Sequence, residues 1–193
     1  MSTRESALLL AALLSVAGCS GDDDAVRGTP HLGRPAPADV VRRQDISVLP
    51  DGTGLPPGSG TVAQGRATFA AKCAVCHGEG GAGGAAERLT GGIGTLASSK
   101  PIRSVASYWP YAPVLFDYIR RAMPLTAPQS LTDREVYGLA AYLLSVDGIV
   151  GGDVRMDAVA LSQVKMPNRD GFVSLEPEAF DGNIDRVTRP QEK

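Results

Sequence analysis

The chain has 193 residues, enough for one domain with tails, and 43% of them are hydrophobic, which supplies a core and excludes wholesale disorder. Its formal net charge of −2 is too small to indicate a nucleic acid or an acidic polymer as partner. The sequence also lacks a phosphate-binding glycine loop and a basic patch interleaved with aromatic residues.

The first residues have the features of a bacterial export signal. Arg4 gives a weakly positive start, and the apolar run from Ala7 to Ala17 is shorter than the roughly 20 residues of a membrane-spanning helix. The run ends in Val16-Ala17-Gly18-Cys19, which resembles a lipobox. We therefore predict a lipoprotein-type signal peptide at 1–18 and lipidation of Cys19. The alternative is an ordinary signal peptide that leaves an unpaired cysteine.

Residues 19–60 have the composition of a flexible, disordered linker. They are rich in Pro, Gly and Asp, as in Asp22-Asp23-Asp24 and Leu55-Pro56-Pro57-Gly58. Such a linker would let a lipid-anchored domain at 61–150 search for a neighbouring protein without leaving the membrane surface. Three of its apolar residues are candidates for docking on that domain, namely Ile46, Val48 and Leu49.

Two segments of the predicted domain have moderate helical signals. From Thr61 to Lys72, residues of the apolar face recur at spacings of three and four, and Gly65 within it indicates close approach of another element. Pro113 to Ala122 is the second segment, and its proline suits a first helical turn. The glycine-rich stretch 78–94 lies between them, and its backbone can fold closely against a flat ligand.

The clearest helix is Asp133 to Val146. Thr132 and Glu135 form a capping box at its start, and Gly148 follows its end. Since no region alternates convincingly with period two, we predict a small all-α fold. An irregular C-terminal extension at 151–193 completes the chain, with a frayed tail from 182 onward.

The run Cys73-Ala74-Val75-Cys76-His77 is the attachment signature of a c-type haem. Two thiols across one helical turn suit the two vinyl groups of one porphyrin, and the adjacent imidazole can bind the iron. A zinc site would need a second ligand pair, for which only His31 and Cys19 remain. A thioredoxin-like redox pair would need a βαβ unit, which the pattern lacks. We predict one covalent haem c, with Cys73, Cys76 and His77 as its attachment and proximal residues.

We predict Met123 as the second axial ligand of the iron. Met123 lies in the loop before the last strong helix, and a thioether favours ferrous iron and raises the reduction potential. Met166 is the main rival, and a loop methionine can also simply fill a gap in the core. His31 is disfavoured because the linker carries it.

Two further residues are candidates for the haem propionates, Trp109 and Arg103. The indole N–H of Trp109 is a hydrogen-bond donor and Tyr108 and Tyr111 flank it, although core packing explains these aromatics equally well. The stretch between residues 97 and 125 contains four cationic residues and a single acidic residue, Asp117. This stretch either steers docking to an acidic partner or is an ordinary solvated surface. The four cations are Lys100, Arg103, Arg120 and Arg121.

From Gly65 to Leu144 the chain resembles a class I cytochrome c. Gly65 and Phe69 before Cys73, with Leu139 and Tyr142 in the last helix, match the crossing of N- and C-terminal helices in that family. The resemblance implies the class I cytochrome c fold, and Met123 stands where the family has its axial methionine.

A narrower resemblance is to the cytochrome subunits of periplasmic molybdenum sulfite or sulfane dehydrogenases of sulfur oxidation, the Sox type. It rests on the stretches 91–96, 108–124 and 165–172. Those subunits are often dihaem, and this chain, with one Cys-x-x-Cys-His, resembles only their first haem domain.

The resemblance implies an electron-transfer protein without catalysis of its own. Its donor would be a molybdenum sulfite or sulfane dehydrogenase, its acceptor another cytochrome or an oxidase of the respiratory chain, and its place the periplasmic side of a membrane. Two alternatives remain open, a haem enzyme or gas sensor with an open or labile sixth iron position, and a cytochrome module of another dehydrogenase.

Overall fold

The structure of the protein is a computed structural model, which describes residues 33–173. The chain divides into two units, Met1–Gln44 and Asp45–Lys193. The described part of the first unit contains one helix, α1 (Ala38–Gln44), in which Arg43 pairs with Asp39 at 2.6 Å. The predictions that fall outside the described residues are those for the signal peptide at 1–18, for Cys19 and His31, and for the tail at 182–193.

The second unit is mostly helical, which confirms the predicted class. Its described helices are α2 (Val62–Lys72), α3 (Ala74–His77), α4 (Val105–Tyr108), α5 (Ala112–Ala122), α6 (Asp133–Val146) and α7 (Ala158–Ser162), with a 3₁₀ turn at Glu79–Gly81. Two strands, β1 (Ser59–Thr61) and β2 (Arg155–Asp157), pair antiparallel with Gly60 opposite Met156. None of the helices between residues 33 and 173 has the length and apolarity to cross a membrane.

Helices α2 and α6 both begin at a capping box. At α6 the Thr132 hydroxyl accepts from the Glu135 N–H at 3.3 Å, and the Glu135 carboxylate accepts from the Thr132 N–H at 2.9 Å. Thr61 and Gln64 make the same exchange at α2. Because each box satisfies two otherwise unpaired N–H groups, it fixes the residue at which its helix begins.

Helices α2 and α6 cross with their backbones in contact. A Cβ added at Gly65 would overlap the carbonyl of Gly138, and one added at Gly60 would overlap the Gly138 backbone nitrogen. Glycine in mid-helix costs about 1 kcal/mol relative to alanine. That cost is offset here because the two helices can approach more closely than any side chain would allow.

Helix α6 is the centre of the hydrophobic core. Its residues from Val136 to Leu144 are buried. Tyr137 packs on Phe116 of α5 with ring centroids 4.5 Å apart, and Tyr142 packs on Phe69 of α2 at 5.4 Å. The core therefore fixes α2 and α5 on α6, which positions the residues that follow both helices.

The segment 45–58, which we call the strap, lies against the helices. Val48 is only 7% exposed, and its N–H donates to the Asp117 carboxylate on α5 at 2.8 Å. The Tyr137 hydroxyl donates to the Pro56 carbonyl at 2.7 Å. The composition of residues 19–60 predicts a linker up to residue 60, whereas the packed unit begins at Asp45. Long-range hydrogen bonds hold the strap against the helices. Its own sequence therefore shows no periodicity that would reveal the packing.

The C-terminal extension is also part of the packed unit as far as it is described. Met156 of β2 and Leu161 of α7 are fully buried, and Met166 is 3% exposed. The Asp157 carboxylate caps α7 by accepting from the Ala160 N–H at 2.9 Å. The strands that join this extension to α2 are three residues long, too short for alternation to mark them in the sequence.

Candidate functional site

The Cys-x-x-Cys-His run lies at the end of α2 and forms the short helix α3. The Cys73 N–H donates to the Phe69 carbonyl at 2.9 Å, so Cys73 closes α2. Cys73 is half-buried, Cys76 is exposed, and neither forms a disulfide within the described residues. One helical turn thus carries both thiols and His77, the arrangement that the sequence predicts.

The imidazole of His77 is held in one orientation by a backbone oxygen. Its Nδ1 lies 2.9 Å from the Glu87 carbonyl. Because a carbonyl can only accept, Nδ1 carries the hydrogen and the lone pair of Nε2 is free to bind a metal. A ligating histidine is usually oriented in this way by a hydrogen bond from its other nitrogen.

The glycine-rich stretch brings that carbonyl into place. It folds back on the Cys-x-x-Cys-His turn, since the Gly83 N–H donates to the His77 carbonyl and the Ala86 N–H to the Cys76 carbonyl, both at 2.8 Å. Gly78 has a φ of +74°, and a Cβ at Gly84 would lie 2.7 Å from the Cys76 carbonyl oxygen. Glycine is required at position 78 because φ lies in the left-handed region, and at position 84 because a side chain would meet the Cys76 backbone.

Two adjoining cavities of about 230 and 300 Å³ open beside this turn. The residues that line both are His77, Leu89, Ile119, Met123 and Leu143. The larger cavity adds both cysteines and the apolar side chains of Phe69, Leu131 and Leu139. Apolar walls with a few polar groups are typical of a cofactor site, and the combined space is of the size that small-molecule pockets have.

Met123 shares this lining with His77. It follows α5 directly, and its N–H donates to the Ile119 carbonyl at 3.0 Å. The rival methionine, Met166, is buried in the hydrophobic core and lines neither cavity. The structure thus places His77 and one methionine, Met123, in the lining of the same cavities.

Both predicted propionate residues line the smaller cavity. The Trp109 ring packs edge-on against Tyr118 with centroids 5.6 Å apart. The Arg103 guanidinium carbon lies 5.7 Å from the centre of the Tyr108 ring. Tyr108 and Tyr111 themselves are absent from the lining.

A third residue at the same cavity, Arg88, is missed by the sequence analysis. Its guanidinium donates to the Ala82 carbonyl at 3.1 Å, which holds it over the glycine-rich stretch. Two arginines, Arg88 and Arg103, therefore flank the cavity, and guanidinium groups are well suited to carboxylates such as propionates. A cation inside a glycine-rich stretch next to the motif is the signal that could have identified it.

The competing uses of the two thiols find no support in the described part of the chain. Between residues 33 and 173, no three residues of the types His, Cys, Asp and Glu come together as a metal site. Burial raises the pKa of the Cys73 thiol, although nearby Lys72 opposes this. A nucleophilic redox cysteine has the opposite property, a lowered pKa.

The predicted basic stretch is partly neutralised. Arg121 binds the Asp117 carboxylate with two hydrogen bonds of 2.8 and 2.9 Å, and Arg120 pairs with Asp133 at 3.2 Å. The Arg121 guanidinium, more than the Val48 N–H, holds the pKa of Asp117 below its usual range. These two arginines therefore stabilise α5 within the fold and contribute little net charge to the surface.

Two comparisons with known proteins find relatives of the chain. The family described as cytochrome c oxidase, cbb3-type, subunit III matches residues 60–143. A chain in the crystal structure of the sulfane dehydrogenase SoxCD from Paracoccus pantotrophus is 36% identical, with a TM-score of 0.73, over 86% of this chain and 81% of that one. No curated protein matches the chain significantly.

The donor set fits a c-type haem, since two thiols, an imidazole with a free Nε2 and a thioether border an apolar cavity that two arginines flank. The family model spans the segment from β1 into α6 that carries this set, and the SoxCD enzyme has a cytochrome c subunit. The predicted resemblance is therefore confirmed, and the chain belongs to the class I c-type cytochromes, electron-transfer proteins with covalent haem c, and resembles the cytochrome subunit of sulfane dehydrogenase.

Proposed function

We propose that the chain is a monohaem electron carrier that takes electrons from a molybdenum sulfite or sulfane dehydrogenase and delivers them to the respiratory chain. It works on the periplasmic side of a bacterial membrane, where lipidated Cys19 anchors it. The acceptor is another cytochrome or a terminal oxidase. The likeness to a SoxCD chain over 86% of this sequence supports the choice of donor.

The observation that carries the proposal is the joint presence of His77 and Met123 on both cavities. If His77 and Met123 both bound the iron of a haem held here, no iron position would be left for a substrate. A c-type haem bound here supplies a reversible one-electron Fe(II)/Fe(III) couple. The site thus supports electron transfer in preference to catalysis or gas binding.

The other residues of the site attach the haem, orient its histidine ligand or exclude water from it. Cys73 and Cys76 attach the cofactor through their thiols, and the Glu87 carbonyl keeps His77 in the tautomer that binds iron. Arg88, Arg103 and Trp109 would bind the propionates, because they combine charge and N–H donors at one cavity. Phe69, Leu139 and Leu143 keep water away from the haem face. A dry, apolar surrounding is one of the means by which a protein sets a haem's potential.

The direct test is reduction of the full chain, matured with haem, by sulfite in the presence and absence of a molybdenum sulfite dehydrogenase. We expect one covalent haem per chain by intact mass, and rapid reduction only when the enzyme is present. Carbon monoxide should bind the ferrous protein slowly or not at all. Oxidation of sulfite by the chain alone, or fast binding of carbon monoxide, would show instead a haem enzyme or a sensor with an open position.

A further inference from the structure

The aromatic residues of the described chain fall into two groups. Four are buried in the core, Phe69, Phe116, Tyr137 and Tyr142. The other five are exposed or half-buried, and we call them the aromatic face: Tyr108, Trp109, Tyr111, Tyr118 and Phe172. Trp109 also packs against the core, but core packing does not explain the exposed rings of Tyr108, Tyr118 and Phe172.

The aromatic face joins two distant parts of the sequence. The Asn168 side chain donates to the Tyr108 carbonyl at 2.7 Å, and the Phe172 ring packs edge-on against Tyr108 with centroids 5.2 Å apart. The Arg169 guanidinium carbon lies 4.2 Å from the centre of the Tyr111 ring. The C-terminal extension therefore packs against the aromatic residues that precede α5.

Three rings of this face, those of Tyr108, Tyr118 and Phe172, are open to solvent, whereas Trp109 and Tyr111 are half-buried. Tyr118 is 49% exposed and Phe172 is 50% exposed, although each packs against another ring. Tyrosine, tryptophan, phenylalanine and arginine are the residue types that protein interfaces favour at their centres. Rings fixed by their neighbours lose little conformational freedom on binding, which makes them effective contact residues.

One cation of the face is left for a partner. Arg103 is assigned to the propionates, whereas Arg169 lies over the Tyr111 ring and forms no ion pair within the described residues. A flat guanidinium presents several donors that match a carboxylate. A protein surface with a carboxylate beside an apolar centre would therefore be complementary to Arg169 and the exposed rings.

The aromatic face is continuous with the candidate haem site, because Trp109, Tyr118 and Arg103 also line the smaller cavity. We propose that this face is the docking surface for the donor dehydrogenase, which would present a carboxylate beside an apolar centre. The inference rests on the proposed function, which names the donor, and adds where it binds. A partner seated here would lie beside the cavity that holds His77 and Met123.

The test measures binding to the sulfane dehydrogenase SoxCD of Paracoccus pantotrophus from which its own cytochrome subunit has been removed. The variants are Phe172→Ser and Arg169→Glu in the full, haem-bearing chain. We expect each to raise the dissociation constant about tenfold or more, as truncation of a central interface residue does. Arg169→Glu should also flatten the dependence of binding on salt.

Matched controls lie elsewhere on the surface. Val159→Ser removes a side chain that is 67% exposed on α7, and Arg134→Glu reverses an exposed charge on α6. Both should bind within about twofold of wild type, as surface changes outside an interface do. Reduction of every variant by dithionite reports whether the haem carrier is intact, independently of docking.

Three results would overturn the docking proposal while leaving the carrier function standing. They are failure of the dithionite-reducible wild type to bind, wild-type affinity in both variants, and an equal loss of affinity in the controls. A wild-type dimer in sedimentation that Phe172→Ser dissociates would assign the face to a second copy of the chain instead. Absence of a reducible haem would contradict the proposed function itself.

Discussion

Where α2 crosses α6 the two backbones touch, whereas nearby side chains of the same two helices line a cavity. Gly65 and Gly138 form the contact, and Phe69, Leu139 and Leu143 line the cavity. Neighbouring positions on one helix pair thus serve opposite purposes. The crossing leaves no room for one more carbon atom, and the cavity leaves room for a cofactor.

The third helix of the site, α5, has polar ties at its surface in addition to its core contact through Phe116. Asp117 bonds to the strap and to Arg121, and Arg120 pairs with Asp133 at the start of α6. Met123 follows the last turn of this helix. The surface ties of α5 can therefore be removed one at a time by substitution, without changing the glycine crossing.

The largest expected effect comes from filling the crossing. Gly65→Ala places a methyl group on the Gly138 carbonyl, so the helices must separate. We expect the free energy of unfolding to fall by about 3 kcal/mol, at the upper end for overpacking, despite the better helix propensity of alanine. Denaturant unfolding followed by circular dichroism measures this.

The matched control is Gly152→Ala, because nothing lies within 4 Å of a Cβ at that position. Its free energy of unfolding should stay within about 0.5 kcal/mol of wild type. If Gly65→Ala were as stable as Gly152→Ala, the helices would not cross with their backbones in contact.

A smaller effect is expected at the polar ties of α5. Asp117→Asn keeps an oxygen that can accept from the Val48 N–H but loses the charged pair with Arg121. We expect a loss of about 1 kcal/mol at neutral pH, the upper end for an ion pair that is partly exposed to solvent. Asp117→Ala removes the acceptor of both the Val48 N–H and the Arg121 guanidinium. It should therefore lower the free energy of unfolding by more than Asp117→Asn.

The pH dependence gives this loss a signature. The folded-state pKa of Asp117 is lowered from 3.8, chiefly by Arg121, so its contribution is present above that value and is lost as pH falls through the folded pKa. The stability difference between wild type and Asp117→Asn should therefore vanish in acid. A difference that persists there would show that the carboxylate charge is not its source. Asp153→Asn, on an exposed turn, is the matched control at neutral pH and should change the free energy of unfolding by less than about 0.5 kcal/mol.

The sequence predicts those parts of the molecule whose causes are local. The capping box of Thr132 and Glu135 places the start of α6 at the observed residue, and the helical spacing around Gly65 indicates the close crossing. The Cys-x-x-Cys-His run locates the candidate site because its chemistry lies within five consecutive residues.

Long-range contacts are where sequence reasoning falls short. The strap has the composition of a linker, yet bonds to Asp117 and Tyr137, 69 and 81 residues away, hold it on the helices. The pairing of Arg121 with Asp117 follows from i,i+4 spacing, but that of Arg120 with Asp133 depends on how α5 meets α6. The position of the Glu87 carbonyl beside His77 likewise depends on the path of a glycine-rich stretch that no periodicity describes.

The central claim is that His77 and Met123 together hold the iron of one haem, and the spectrum of the oxidised full chain tests it most directly. The account predicts a methionine–iron charge-transfer band that Met123→Ala abolishes. Met166→Ala should keep the band, although it removes a core side chain that is 3% exposed and lowers stability by about 2 kcal/mol or more. A band that survives Met123→Ala, or one that disappears in Met166→Ala, would contradict the account.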